Sequence, residues 1–512
     1  MNSRAFSVAA LLCLCAPSLC LAQERPLSER DAVAVAVMNN PTLHVALLRA
    51  QQSRYSLNAE HALYTPVFDA NAGYTHSRTP SLFGSTTRIS GSEVVDLGAG
   101  ITKPFAYGTV VSASLSGQRW SRASLEQEAV LGASGPGYAL VGRLTATQPL
   151  LRGAGTEVGL ASYRQAKLSL SVNQLAAQAA ASEVLSQVVS AYWELWYSAE
   201  AVHINEASRE LARVQQSQAR QQVESGALAP ASALPYATQL AVLEEAVLAA
   251  HSDVRQKELV LSRLLGQGSA IGASPRATDG PEVPVSDEPA EASAVHDALQ
   301  NSYAQKQLQT QLAIVKEQLK VAGDPLRPRL DLDAYVQAQG LGNQRVPPAF
   351  QQFGQMDAVS AHVGLTFEMP LTDTRRSSQI QAAQFAAHVA EKQLEENELT
   401  LRSSVVSVLV ARRAARDKLE LASQTEKIAR QQAEAERARF LAGSSIAITV
   451  QQAEDSYRQA QLRVQRARVD LVLADLDLAE LRGQLLTRYA DAVKRLPAEQ
   501  RVTLSNPGSN NF

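Results

Sequence analysis

The chain repeats itself, and the repeat limits what it can fold into. Gly226 ends the segment Arg220-Gln221-Gln222-Val223-Glu224-Ser225, and Gly443 ends Arg437-Ala438-Arg439-Phe440-Leu441-Ala442. These glycines are 217 residues apart, and so are Gly266 and Gly483, which close Leu264-Leu265-Gly266 and Leu481-Arg482-Gly483. Upstream, Gln148-Pro149-Leu150 matches Met369-Pro370-Leu371, and Pro66-Val67-Phe68-Asp69 matches Pro328-Arg329-Leu330-Asp331. Four landmarks in the same order read as an internal duplication. The first copy carries 41 extra residues between its strand landmarks. They include 98–103 and 109–120 around Pro104-Phe105-Ala106-Tyr107-Gly108, which read as an additional hairpin or an outer extension of the first strand pair.

Each copy runs short helices, strand, strand, long helix, turn and return helix. Apolar residues such as Leu168, Val172, Leu175, Val184, Leu185 and Val188 recur at helical spacing, giving long helices over about 157–225 and 372–442. Shorter return helices follow over about 231–265 and 446–481. The first short-helix region covers about 27–62, broken near Asn40-Pro41. Alanines 176, 177, 179, 180 and 181 favour close packing against partner helices. The expected organisation is an export signal over 1–22, a first repeat over 23–266, a linker over 267–291, a second repeat over 292–484 and a flexible tail over 485–512.

Strand patterning separates this chain from a plain coiled-coil rod. Leu330, Leu332, Ala334, Val336 and Ala338 alternate with Asp331, Asp333, Tyr335, Gln337 and Gln339. Val359, Ala361, Val363, Leu365 and Phe367 alternate with Ser360, His362, Gly364, Thr366 and Glu368. In the first copy Phe68, Ala70, Ala72 and Tyr74 form one such face, and Leu140, Leu144 and Ala146 another. Runs of about 9–11 residues, apolar on one face and polar on the other, fit membrane β-barrel strands over a wet lumen. A half-buried strand of a soluble sandwich has the same period. Four strands cannot close around a channel, since closed barrels begin near eight. Three copies supplying twelve strands are the expected solution, and Tyr107, Trp120 and Tyr138 are candidates for an interfacial aromatic girdle.

Composition narrows the function. Lys+Arg 48 against Asp+Glu 50 leaves no basic footprint for nucleic acid. The three cysteines, Cys13, Cys15 and Cys20, all lie within the export signal, which Cys20-Leu21-Ala22 offers for cleavage before Gln23. Leu19 stands where a lipobox wants a small residue, which argues against lipid on Cys20. Thiol chemistry is therefore not expected of the mature chain. The eight histidines are scattered without ligand spacing, so no metal or other cofactor is expected. No catalytic set stands out either, and no enzyme activity is expected.

The doubled order, Gln148-Pro149-Leu150-Leu151-Arg152-Gly153 opening a long helix, the Tyr192-Trp193-Glu194-Leu195 cluster and the glycine-ended hairpins resemble the TolC-like outer membrane efflux protein family. The resemblance covers about 27–486. It implies a mixed α and β membrane protein: a homotrimer whose twelve-stranded barrel, four or more strands per copy, sits in outer-membrane lipid and continues as a periplasmic α-helical barrel. It further implies a passive exit duct of an efflux or type I secretion system. Its partners would be a periplasmic adaptor (membrane fusion protein) and an inner-membrane pump of the RND or ABC type. The remaining alternative is a soluble periplasmic coiled-coil scaffold or adaptor.

In such a duct the helix reversals meet the adaptor, which here means Gly226, Ala227, Leu228, Gly443, Ser444 and Ser445. The resemblance puts acidic residues six and nine positions after the second glycine at the periplasmic aperture. This chain has Thr449 and Gln452 there, and Ser232 at the sixth position of the first copy. Its acids come later, at Glu454 and Asp455, which are the replacement candidates. The aromatic group Tyr192, Trp193, Trp196 and Tyr197 reads as helix packing.

Overall fold

The structure is a computed structural model. It describes residues 25–83, 86–123, 136–267, 275–282, 289–369, 374–442 and 444–504. The expected export signal with its cysteines, Gly443, part of the 267–291 segment and the last eight residues lie outside the described residues.

In chain order the elements begin with β1 (Arg25–Leu27), α1 (Glu29–Asn39), α2 (Pro41–Ala62), β2 (Val67–Phe83), β3 (Thr86–Pro104), β4 (Val110–Ala123) and β5 (Gly137–Pro149). Next come α3 (Thr156–Gly159), α4 (Ala161–Glu224), α5 (Pro230–Leu264), β6 (Pro275–Ala277), α6 (Glu291–Asn301) and α7 (Tyr303–Ala322). The second sheet-forming part is β7 (Arg329–Asn343), α8 (Pro347–Gln355) and β8 (Val359–Glu368). The chain closes with α9 (Thr374–Leu441), α10 (Ala447–Leu481), α11 (Leu485–Arg488), α12 (Ala490–Val493) and α13 (Ala498–Leu504). At 1.5 Å per residue, α4 and α9 are each about 100 Å long. Two compact units divide the chain, one holding 47–177 and 303–399, the other holding 25–46, 178–302 and 400–504.

In the first unit, β2-β3-β4-β5-β7-β8 form one antiparallel sheet in that order. Six strands stand where a twelve-stranded trimer would need four per chain. The surplus is the β2–β3 and β3–β4 pairing built from the extra residues of the first copy. The register keeps apolar side chains together across all six strands. Phe68, Ile101, Ala113, Leu144, Val336 and Ala361 are successive partners. Ala70, Ala99, Leu115, Gly142, Ala338 and Val359 form the next rank. The opposite face carries Asp69, Gly100, Ser114, Arg143, Gln337 and Ser360 in one rank. Much of the apolar face is bare: Phe68, Leu97, Ile101, Leu144, Val336 and Val363 are each more than half exposed. Among the described residues only α8 lies on it, with the Phe353 ring against Gly142 and Ala349 buried. Trp120 is on the polar face, an odd number of residues from Leu115 and Gly117, with its ring over Gly137 of β5. It therefore does not share a girdle with Tyr138, which faces the apolar side opposite Arg119.

The second unit is helical. Asn40 explains the break before Pro41: its Oδ1 accepts from the Thr42 and Leu43 amides, capping α2, and its Nδ2 donates 2.8 Å to the Leu264 carbonyl at the end of α5. Small α6 residues let α9 and α10 approach, with Ala294 and Ala298 packing on Leu401, Val405, Leu409 and Leu478. Each return helix stops at a left-handed glycine, Gly266 and Gly483, pressed against the carbonyl of Asn39 and Asn301 respectively. Within the expected linker, β6 pairs in parallel with β1. The Tyr192 hydroxyl pins this pair, donating 3.1 Å to the Leu27 carbonyl and accepting 3.0 Å from the Asp279 amide. The stretch 485–504, expected as a flexible tail, is instead three short helices. Burial of Leu485, Tyr489, Ala492, Leu496 and Leu504 holds them.

Replacing Gly483 by alanine forces a Cβ to 2.6 Å from the Asn301 carbonyl oxygen at φ +65°. The expected cost is about 1–3 kcal/mol, read by chemical denaturation. Gly280→Ala, which meets open space, is expected to be neutral.

Candidate functional site

The helix reversals are built by their own backbone. Gly226 adopts φ +80°, and the Ala227 and Leu228 amides both turn back to the Gln222 carbonyl. Pro230 opens α5, where a missing amide hydrogen is harmless. Pro235 lies a turn further in, inside the helix. At the second reversal the Ser444 amide donates 2.9 Å to the Arg439 carbonyl, and the Ser445 hydroxyl donates 2.9 Å to Glu436. Ala227, Ser232, Ser444 and Gln452 are exposed, while Leu228, Ser445 and Thr449 are half-buried. Leu441, Ile446 and Leu234 stand out into solvent beside them.

Each hairpin is laced by ion pairs placed almost symmetrically about its reversal. In the α9–α10 hairpin these are Arg412–Asp475 at 3.1 Å, Lys418–Asp470 at 2.8 Å and Arg437–Glu454 at 2.8 Å, with base on α9 and acid on α10. In the α4–α5 hairpin the acids are on α4, as Glu194–Lys257 at 3.3 Å and Glu206–His251 at 3.3 Å. Three further contacts tie α4 to α10. Arg466 donates 2.7 Å to Glu194, Arg458 donates 2.8 Å to the Asn205 side chain, and Gln215 donates 3.0 Å to Glu454.

The two candidate acids are thus partnered inside the chain. Glu454 is held between Arg437 and Gln215 with its side chain only 16% exposed. Asp455 accepts from Arg458 at 2.6 Å and from Gln459 at 2.7 Å. They border a cavity of about 440 Å³ that also meets Arg430 and Glu434. A second cavity of about 220 Å³ nearer the reversals is lined by Leu211, Val214, Tyr236, Phe440 and Val450. Burial, and then the Glu454 carboxylate, raise the Tyr236 phenol above its ordinary value. Thr449 and Gln452 are on the first turns of α10 and contribute no charge. Among the described residues no cluster of acids, histidines and cysteines is arranged to hold a metal ion. No described helix is long and apolar enough to cross a membrane.

Sequence reasoning missed Arg437, Arg458, Gln215 and Asn205. The hairpin symmetry was an available signal for the first, since Arg437 and Glu454 are about equally distant from the reversal.

The outer membrane efflux protein family matches residues 294–488 of the chain. No curated protein matches the chain by sequence. Among solved structures, the outer-membrane channel OprN superposes with a TM-score of 0.67 at 16% identity, over 89% of this chain and 90% of that one. The CmeC outer membrane channel of Campylobacter jejuni gives 0.65 at 14% identity, over 97% and 98%. The MtrE outer membrane channel of Neisseria gonorrhoeae gives 0.62 at 16%, over 89% of each. Residues 294–488 are thus similar to the outer membrane efflux protein family, and the fold is shared with these channels along most of the chain.

Removing the α4–α10 ties at the reversals by Gln215→Ala with Arg458→Ala should loosen α10 locally. Amide exchange over 447–460 is expected to rise about tenfold or more, as loss of one to two hydrogen bonds to charged groups implies. Ser232→Ala, which removes no observed contact, should leave exchange unchanged.

Proposed function

We propose that three copies of this chain form an outer-membrane exit duct that passively conducts substrates delivered by an inner-membrane pump and a periplasmic adaptor. The observation that carries the reading is the bare apolar face running in register across six strands, opposite a polar face. A water-soluble sheet exposing that face would be an aggregation hazard, whereas lipid covers it at no cost. A soluble scaffold or adaptor would leave it uncovered. Among the described residues the sheet has two free edges, β2 and β8, and six strands cannot enclose a channel. Lipid tolerates no open edge, so copies must complete the wall.

In this reading the chain is an internal duplication, and the recurring Gly266–Asn39 and Gly483–Asn301 contacts support it. The long helices continue the duct through the periplasm, with the reversals at its inner end. Gly226, Ala227, Leu228, Gly443, Ser444 and Ser445 meet the adaptor, aided by the exposed Leu441 and Ile446. Ser232, Thr449 and Gln452 border the aperture with Glu454 and Asp455. Opening swings the α9–α10 hairpin away from α4, so the Arg458–Asn205 and Gln215–Glu454 contacts hold the closed state.

The partner prediction uses Ala227→Cys. A photo-crosslinker on that thiol in intact cells is expected to capture a periplasmic adaptor. Labelling from outside the cell, or capture of unrelated soluble proteins alone, contradicts the assignment. The gate prediction rests on charge. Because Arg437 and Arg458 offset both acids, block by a trivalent cation should be weak in planar-bilayer recordings and should strengthen in Arg437→Ala. Strong block in the parent protein, unaltered by that substitution, contradicts it.

A further inference from the structure

Resting on the trimeric duct reading, we infer that β2 of one copy pairs with β8 of the next, so that the trimer closes with eighteen strands. The β2–β3 hairpin is then part of the membrane wall, neither a collar outside it nor a plug within it.

Three observations carry this. The hairpin is not an appendage: β2 and β3 pair along 67–83 and 86–102, and β3 continues into β4 without interruption from Gly91 to Pro104. Its faces agree with those of the remaining sheet. Phe68, Ala70, Ala72 and Tyr74 with Ile101, Ala99, Leu97 and Val95 extend the ranks of Ala113, Leu115 and Leu144, at the same height and on the same side. A one-residue slip anywhere between β2 and β8 would have turned these side chains to the polar side. The polar side of the hairpin is also built for water. Asp69, Asn71 and Asp96 project there, each over a glycine of the facing strand, Gly100, Gly98 and Gly73. A hairpin lying against the outside of a smaller barrel would press these groups onto apolar side chains or into lipid.

The edges fit each other. β2 and β8 each present one unpaired row of backbone amides and carbonyls, which hydrocarbon cannot satisfy. Alternating direction along an even number of strands makes them antiparallel across the junction, the arrangement of every other pair in the sheet. Phe68, Ala70, Ala72 and Tyr74 on one edge and Val359, Ala361, Val363, Leu365 and Phe367 on the other would then continue a single lipid-facing surface.

The consequence is a wide duct. With strands about 4.8 Å apart and tilted about 40°, eighteen strands give a backbone diameter of about 36 Å, against about 24 Å for twelve. The lumen cross-section is roughly doubled, enough for bulky or partly folded cargo to pass the membrane segment.

Cysteine pairs test the junction in the full-length protein in its membrane. Val363→Cys in β8 is combined in turn with Phe68→Cys, Ala70→Cys, Ala72→Cys or Tyr74→Cys in β2, and separately with Ala113→Cys or Leu115→Cys in β4. A short bismaleimide is expected to give crosslinked dimers and trimers with at least one β2 partner and none with β4. Crosslinking of β8 to β4 means that the hairpin is displaced and twelve strands close, which overturns the inference and leaves the duct reading intact. Native mass of the same sample separates the two ideas further. A trimer without either crosslink refutes the junction alone. A dimer closing with twelve strands, or a monomer, refutes the trimeric duct itself. For variants that fail to assemble, the unmodified trimer viewed down its axis supplies the check: a backbone diameter near 36 Å supports eighteen strands, and one near 24 Å refutes them.

Discussion

Cross-strand register is the constraint on which the rest depends. Side chains alternate along a strand, so six strands can share one apolar face only if every pairing from β2 to β8 keeps step. They do, from Phe68 through Ile101, Ala113, Leu144 and Val336 to Ala361. One surface is therefore mostly apolar and largely exposed, and the other carries Arg143, stacked over Tyr335, which in turn stacks on His362. A sheet of that kind has a place where lipid meets water, and its open edges call for further copies.

The helical part is specified by different means. Its helices owe less to broad amphipathic faces than to small residues, which let backbones approach, and to polar rungs that fix how the helices slide past one another. Opposite charge order in the two hairpins, acids on α4 but on α10, puts Glu194 beside both Lys257 and Arg466. Individually such partly exposed pairs contribute little, about 0–1 kcal/mol. Together they set register, and they are reversible. Contacts of that strength are consistent with the proposed separation of α10 from α4.

Much of this was legible in the sequence. The strands β5, β7 and β8 show their period plainly because each has one wet and one apolar face, and Gly226 marks the first reversal because only a left-handed residue turns a helix that sharply. The first half of β2 was legible too. Beyond Tyr74 its alternation fades as His76 and Arg78 take the apolar side, so its pairing along β3 left no signal in composition. That is why the hairpin of 98–103 and 109–120, now part of β3 and β4, could be recognised while its long pairing with β2 could not. α8 was hidden in a strand-to-strand connection, and the helices of 485–504 are too short to show a period. At the reversals the acids were visible, but their partners were not. Gln215 is 239 residues from Glu454, and only folding of the two hairpins brings them together.

A lipid-facing sheet is tested most directly by a spin-label scan along β5, from Tyr138 to Gln148, in the protein reconstituted in lipid. Collision with oxygen and with a water-soluble nickel chelate is read at each position. Labels at 138, 144 and 146 should favour oxygen and those at 139, 141, 143, 145 and 147 the chelate, while 140 and 142 are left out because Leu140 is buried and Gly142 lies under Phe353. Uniform exposure to the chelate at both sets would contradict a lipid-facing sheet, and with it the proposed membrane duct.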